Sequence, residues 1–391
     1  MTSLVDTMTV MLRQVLADSE RLIRCESPSE DLQAVADSAD LVADIGRLRL
    51  GEEPERIEIE GRTHLLWTWG GGPSRVLVLG HHDTVWPIGS LETHPFQIQE
   101  GILRGPGCVD MKVGLAMAMH AIAALPDRDG VTLLVTGDEE LGSPSSRALI
   151  ERSAAGCGAA LVLEAAADGG AVKTARKGVS LYDVHAIGRA SHAGLAPQAG
   201  VNALVELARQ VLAVSALGDS GRGTTVTPTS GSAGTTSNTV PATARFAVDV
   251  RVRDVREQQR VDAAMRGLRP SLPDAQLIVT GGPNRAPLER AMSSLLYDRA
   301  VGLASALGLP PLHEAAVGGA SDGNFTAGVG VPTLDGLGAS GGGAHADDEH
   351  VIIDEIPGRT ALLAALIADL LSESPTLAGS GRDPRSGAER S

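Results

Sequence analysis

Five places along this chain carry side chains of the kind that hold metal ions: His81-His82-Asp83, Asp110, Glu139-Glu140, Glu164 and His345. Imidazole and carboxylate are the ligands of zinc and of similar divalent ions. One such residue means little, since a histidine beside an aspartate is a satisfied polar pair in most proteins. The set means more. Each sits in a loop after an apolar run that reads as a strand, and in open α/β sheets chemistry gathers at the carboxyl ends of strands. Solvated loops would accept Lys or Ser at these positions just as well. Three carboxylates and two imidazoles, with one carboxylate shared, suit two divalent ions better than one.

The elements that must position these residues follow from hydrophobic period. Val76 to Gly80 reads as a strand buried on both faces. Val131 to Thr136 is similar and ends in Gly137-Asp138-Glu139-Glu140, and Ala159 to Leu163 ends in Glu164. Helical spacing covers Leu4 to Arg24 and Asp31 to Leu48, while Arg56 to Glu60 and Thr63 to Trp69 read as strands. Val113 to Leu125 is apolar nearly all round, which predicts a buried helix. Strands alternating with helices give an α/β sheet with helices on both faces.

The pattern changes near Gly178. Strands at Val179–Gly188, Thr224–Thr229, Ala242–Arg253 and Ala275–Thr280, with helices at Val201–Ala216 and Arg256–Leu268, give the order βαββαβ of a ferredoxin-like unit. Gly218 to Asn238 reads as a flexible hairpin region. Helical spacing resumes at Leu288, clearest over Leu295–Leu307, and a last helix is expected over Glu355–Leu371. The expected division is 1–177 and 288–371 as one discontinuous α/β domain, 178–287 as an inserted α+β domain, and 372–391 as a disordered Gly/Ser/Pro/Arg-rich tail.

Composition narrows the function. Apolar residues make up 43 % of the 391 and charged residues 21 %, enough for a large core, but aromatics are 2 %, so that core must be aliphatic. A net charge of -15 with no offsetting basic surface argues against nucleic acid and anionic membranes as partners. No segment approaches the ~20 apolar residues of a membrane span. Residues 1–26 lack the pattern of a secretory signal, and the three widely spaced cysteines form no disulfide framework. A cytoplasmic protein with reduced thiols is expected.

In order along the chain stand Gly80-His-His-Asp83-Thr-Val, Gly105-Pro-Gly-Cys-Val-Asp110-Met-Lys, Gly137-Asp-Glu-Glu140, Glu164, Arg176-Lys-Gly178 and Ala190-Ser-His192-Ala-Gly. Ser237-Asn-Thr-Val-Pro241, Asp249-Val-Arg251, Gly318-Gly-Ala-Ser-Asp322 and Gly343-Ala-His345-Ala-Asp follow. This series resembles the dinuclear zinc metallopeptidases that include bacterial glutamate carboxypeptidases, acetylornithine and succinyl-diaminopimelate deacylases, and aminoacylases. The resemblance covers the chain up to its tail. It implies a zinc-exopeptidase-like catalytic domain, built on a mixed sheet and interrupted by a ferredoxin-like lid and dimerisation domain.

It also implies roles. His81, Asp110, Glu140, Glu164 and His345 would hold two divalent ions, Zn2+ first and Co2+ or Mn2+ next, with Asp110 bridging and a cis peptide bond after it. Asp83 would orient His81, and His82 would point outward or into the core. Glu139 would be the general base that takes a proton from a water between the ions. His192 would donate to the developing oxyanion after lid closure or from a partner subunit; without the resemblance, a turn histidine is the simpler reading. Arg251 and Asn238 would hold the free carboxylate of the substrate. Arg176 and Lys177 would either add positive field or form a salt bridge at the domain junction.

Three departures from the family pattern bear on the substrate side more than on the metals: Val113 where glycine commonly follows, Cys108 near Asp110, and Ala320-Ser321 in the glycine-rich loop. Cys108 reads as a small buried apolar residue. The expected activity is hydrolysis of an amide that releases a C-terminal or N-acylated amino acid, with glutamate favoured. The alternatives are an acetylornithine- or succinyl-diaminopimelate-type deacylase and, from another class, a non-catalytic metal-binding scaffold. The scaffold is disfavoured because neither base nor ligand is missing. A homodimer through the inserted domain is expected.

Overall fold

The computed structural model describes residues 3–372. The expected tail at 372–391 lies outside these, apart from Ser372, which ends the last helix. Helix α1 (Leu4–Arg24) begins at a reciprocal cap in which Ser3 and Asp6 accept each other's backbone N–H. Helix α2 (Leu32–Leu50) begins at Asp31, whose carboxylate accepts from Gln33 and Ala34, and stops at Gly51 with φ 79°. Strands β1 (Glu55–Ile59), β2 (Arg62–Thr68) and β3 (Val76–His81) follow. Next come the single turn α3 (Ser90–Thr93), the short hairpin β4 (Gln97–Gln99) and β5 (Ile102–Arg104), and helix α4 (Val113–Ala123). Strand β6 (Val131–Thr136), helix α5 (Arg147–Ala154), and strands β7 (Ala159–Val162) and β8 (Val172–Arg176) complete this half.

The main sheet runs β1-β2-β6-β3-β7 and gains β16 (Thr333–Leu334) from the end of the chain. The first two junctions are antiparallel and the rest parallel, so the sheet is mixed. Strand β3 is buried throughout. Its Val76 and Val78 belong to the apolar cluster shared with α1, α2, α4 and α10 (Ile356–Ser372), whereas Leu77 and Leu79 join the cluster of α5 and Phe325 on the opposite face. A strand covered on both sides must be apolar at every position, which explains its unbroken hydrophobic run. Helix α4 is buried from Val113 to Ile122, as expected. A Cβ at Gly114 would stand 2.7 Å from the Leu163 carbonyl, so the close approach of helix and strand end falls on Gly114 while Val113 packs in the core.

A four-stranded antiparallel sheet occupies residues 178–285, made of β9 (Gly178–Ile187), β11 (Thr225–Ala233), β13 (Thr243–Val252) and β14 (Gln276–Arg285) in the order β11-β13-β9-β14. Helices α6 (Ala203–Ser215) and α7 (Val255–Arg266) pack on it around a separate apolar cluster. The element order and strand order are those of the ferredoxin-like unit. Strands β10 (Ser191–His192) and β12 (Thr239–Val240) form a two-stranded ribbon beside it. Part of the expected flexible hairpin is strand, because β11 continues past Pro228 through a bulge between Pro228 and Gly231. An edge strand needs ladder bonds on one side only and tolerates proline there.

The return passes through α8 (Arg290–Ala306), β15 (Glu314–Val317), which pairs in parallel with β8, and α9 (Gly323–Gly328). After β16, strands β17 (Gly341–Gly342) and β18 (His350–Ile352) join β5 and β4 in a small sheet, and α10 closes the chain. The periodicity of the sequence had not signalled this small sheet, the β8–β15 pair or α5. The three cysteines are unpaired, and Cys108 is buried as a small core residue. No helix among the described residues is long and apolar enough to cross a membrane.

Candidate active site and metal centre

Register in the main sheet brings the ligand residues to one edge. His81 pairs with Thr136, so β3 and β6 end flush, and the loop from Gly137 to Glu140 begins beside His81. The Leu163 N–H donates to the Leu79 carbonyl, which places Glu164 at the same edge. Asp110 lies in the turn before α4 and is joined to Met111 by a cis peptide bond, as the resemblance implied. His345 stands at φ 64° in the loop between β17 and β18.

The five side chains converge on Asp110. His81 Nε2 lies 3.3 Å from Asp110 Oδ1 and 3.8 Å from Glu164 Oε1. His345 Nε2 lies 3.4 Å from Asp110 Oδ2 and 3.1 Å from Glu140 Oε2. Donors held ~2.1 Å from one ion at tetrahedral angles stand about 3.4 Å apart, so both groups have the spacing of a zinc shell. Glu140 Oε1 is buried without a hydrogen-bond partner, a costly condition that a cation would relieve. Charges tell the same story. Burial and the nearby Asp110 carboxylate push Glu164 up to about 7, and hydrogen bonds to Asp110 and Glu140 push His345 up to about 10. An imidazole that must be protonated to satisfy two carboxylates stands where a dication would serve better. The residues fit two divalent ions with Asp110 between them.

A sequence model of peptidase family M20/M25/M40 matches residues 77–369. The chain belongs to that family. It is therefore a metal-dependent hydrolase of amide bonds. It is 34% identical over 315 residues to carboxypeptidase G2 from Pseudomonas sp. (strain RS-16), covering 77% of this chain and 75% of that one. It is 29% identical over 336 residues to succinyl-diaminopimelate desuccinylase 1 from Alteromonas mediterranea, covering 79% and 85%. Among solved structures, aminopeptidase PepT from Bacillus cereus ATCC 10987 superposes with a TM-score of 0.72 at 21% identity, covering 92% of this chain and 99% of that one, which shows the shared fold.

Around this M20 centre the supporting residues differ in part from expectation. His81 Nδ1 donates to the backbone carbonyl of Asp83 at 2.9 Å, with the Asp83 carboxylate farther at 3.5 Å. That turns Nε2 toward Asp110 and Glu164, where it could serve as a metal ligand. The Asp83 carboxylate instead accepts from the Glu139 and Glu140 N–H groups, both at 3.2 Å, and from Ser29 Oγ at 2.6 Å. It thus holds the loop bearing both glutamates. His82 faces the core, bonded through Nε2 to the Thr63 carbonyl, and burial lowers it to about 4, so it is neutral. Of the two roles expected for it, Arg176 takes the salt bridge. It is buried, forks onto Asp335 at 2.7 and 3.1 Å, and reaches Glu164 at 3.2 Å, so it braces a ligand.

Arg285, which sequence reasoning missed, closes the site from below. It ends β14, and its Nη2 donates to Glu139 Oε1 at 3.1 Å, Asp322 Oδ1 at 3.1 Å and Ser143 Oγ at 2.8 Å. Its guanidinium lies 4.9 Å over the Phe325 ring. Burial and Asp322 push Glu139 well above the carboxylate range, and Arg285 opposes them. The same corner is the crossing into and out of residues 178–287. The Asn324 amide donates to the Lys177 and Ala286 carbonyls, and a Cβ on Gly178 would press Pro287 at 2.7 Å. Arg285→Leu would leave Glu139 and Asp322 buried without their cation. Breaking such a pair costs about 3–5 kcal/mol. Chemical denaturation of the metal-loaded protein should read that loss, with Arg285→Lys recovering part of it; equal midpoints would refute the bracing role.

The remaining predicted residues lie apart from this cluster. His192 is exposed on the β10–β12 ribbon, and its Nδ1 accepts the Gly194 and Leu195 N–H groups at 3.1 Å, which leaves Nε2 as donor. Asn238 is exposed at the same end of the ribbon, one residue before Thr239, the pairing partner of His192, and its backbone carbonyl accepts the Ala193 N–H. The structure therefore brings His192 and Asn238 together, but not onto the metal ligands. Arg251 is bidentate to Asp249 on β13 at 2.8 and 2.9 Å. Burial and the neighbouring Arg253 and Arg251 hold the Lys177 ammonium below its ordinary range, which marks a cationic corner near the crossing.

Proposed function

We propose that this M20 peptidase is a glutamate carboxypeptidase-like enzyme, and that it works with two divalent ions, Zn2+ in the first place. The single observation that carries the two-ion reading is Asp110, whose two oxygens face different histidines, His81 at 3.3 Å and His345 at 3.4 Å. His81 and Glu164 would complete one ion, and Glu140 and His345 the other. Bound there, the ions would polarise the scissile carbonyl and lower the pKa of a water. Glu139 then accepts the water proton and returns it to the leaving nitrogen, while Asp83 and Arg285 hold it in place.

In this reading residues 1–177 and 288–371 carry the metal centre, and 178–287 form the lid. His192 Nε2 donates to the carbonyl oxygen once the lid closes or a partner subunit presents its copy. Arg251 exchanges Asp249 for the substrate carboxylate, with Asn238 and Lys177 nearby. A homodimer through the lid is supported by Leu212, 73% exposed on α6, and by the open edge of β11. A cytoplasmic setting agrees with the three unpaired thiols.

Similarity to carboxypeptidase G2 favours a glutamate leaving group, and similarity to the desuccinylase supports a deacylase as second reading. Apoprotein reloaded with Zn2+, Co2+ or Mn2+ should be assayed on N-acyl and dipeptidyl glutamates, N-acetylornithine and N-succinyl-diaminopimelate. A glutamyl amide should lead in kcat/KM by about tenfold or more. Faster turnover of either deacylase substrate would replace the first reading with the second. Sedimentation of the same sample should give a dimer; a monomer at every concentration would remove that part.

A further inference from the structure

The geometry points to Glu349 as the positioning residue that sets the spacing between Asp110 and His345. This inference rests on the two-ion reading above. Glu349 is 4% exposed, yet its carboxylate touches no cationic side chain among the described residues; it is wrapped in N–H donors. Its Oε1 accepts from the Val109 and Asp110 backbone at 2.8 and 3.2 Å, and its Oε2 from Gly107 at 2.9 Å and Trp86 Nε1 at 2.7 Å. One side chain therefore ties three segments: the turn that carries Asp110, the stretch three residues beyond Asp83, and the loop that carries His345.

The consequence differs between the two ions. His81 and Glu164 issue from β3 and β7, whose positions are fixed by sheet hydrogen bonds on both sides. His345 lies in the seven-residue loop 343–349 between the paired strands β17 and β18, and no ladder bond falls on His345 itself. Its backbone is in the left-handed region, its side chain is 48% exposed, and its loop is held by the turns Ala346 N–H to Gly343 and Glu349 N–H to Ala346. Glu349 ends the second of these turns, four residues from His345, and its carboxylate fastens the turns directly to the backbone of the Asp110 segment, beside the β5–β18 pairing and the Arg104 bond to the Asp348 carbonyl. Without it, Asp110 and His345 lose the side-chain tie between their segments, while His81 and Glu164 keep the sheet. The ion held by Asp110, Glu140 and His345 is the one whose affinity depends on Glu349.

The test is titration of Zn2+ into apoprotein against a competing chelator, for wild type, Glu349→Ala, Glu349→Gln, Trp86→Phe and His345→Ala. Wild type should bind two ions, and His345→Ala identifies the class of site that His345 serves. In Glu349→Ala and Glu349→Gln that class should weaken by about 10–100-fold, the usual effect of removing a residue that orients ligands, while the other changes by less than about threefold. Trp86→Phe deletes one donor without disturbing the carboxylate, so its smaller loss should fall on the same class and carries the test if the Glu349 variants do not fold. Equal weakening of both classes, or no weakening of either, would overturn the role of Glu349. A wild-type stoichiometry of one would overturn the two-ion reading and this inference with it.

Discussion

Glu139→Gln is expected to lower kcat by about 10²–10⁴-fold, the range that a positioned acid–base group contributes. Metal content and KM should stay close to wild type. The reasoning is geometric. Glu139 is not among the groups that converge on Asp110; its carboxylate faces Arg285 instead, and its backbone N–H is fixed by Asp83. Glutamine keeps the shape and leaves an oxygen to accept from Arg285 at the same 3.1 Å position. What it loses is the capacity to take a proton. Single-turnover kinetics with quantified metal would check this. A rate within tenfold of wild type would assign the base elsewhere, and loss of an ion would make Glu139 a ligand.

Removal of the ions should have the other large effect, on both activity and stability. Chelation is expected to abolish turnover and to lower the unfolding temperature, with both restored by Zn2+, Co2+ or Mn2+. An ion present at 1,000 times its dissociation constant stabilises the fold by about 4 kcal/mol, and in the two-ion reading two such contributions would act. The stripped site has a further penalty, because Asp110, Glu140 and Glu164 face one another, offset in part by His81, His345 and Arg176. Asp110→Asn makes the point with one atom pair. Since Asp110 belongs to both donor groups, its neutralisation should weaken both ions, unlike His345→Ala, which should weaken one. Thermal scans with and without chelator, read beside metal stoichiometry, decide it. An unchanged unfolding temperature after complete removal of metal would refute this account.

Much of the site was legible because its chemistry coincides with strand ends. The unbroken apolar run of β3 announced a strand covered on both faces, and His81 after it announced an edge where ligands gather. Glu140 and Glu164 followed by the same reasoning. Arg285 left no such sign: an arginine in Pro-Asn-Arg-Ala-Pro reads as surface, and its burial exists only because β14 ends against Glu139 and Asp322. Arg176 was legible as a cation but not as buried, and Glu349 resembled one more acid in an acidic loop. The reach of β11 past Pro228 was hidden because residue propensity does not say whether a strand lies at an edge.

By itself the sequence determined the kinds of ligand, the strands that carry them and the order of the inserted unit, because these depend on residue type and on period along one segment. The tertiary structure decided the rest: that β3 and β6 end flush, that the two oxygens of Asp110 divide between His81 and His345, and which buried acids receive an arginine. Those outcomes join side chains as much as 235 positions apart, counting from Asp110 to His345. They are set by sheet register and packing between units, which leave no periodic trace in the chain.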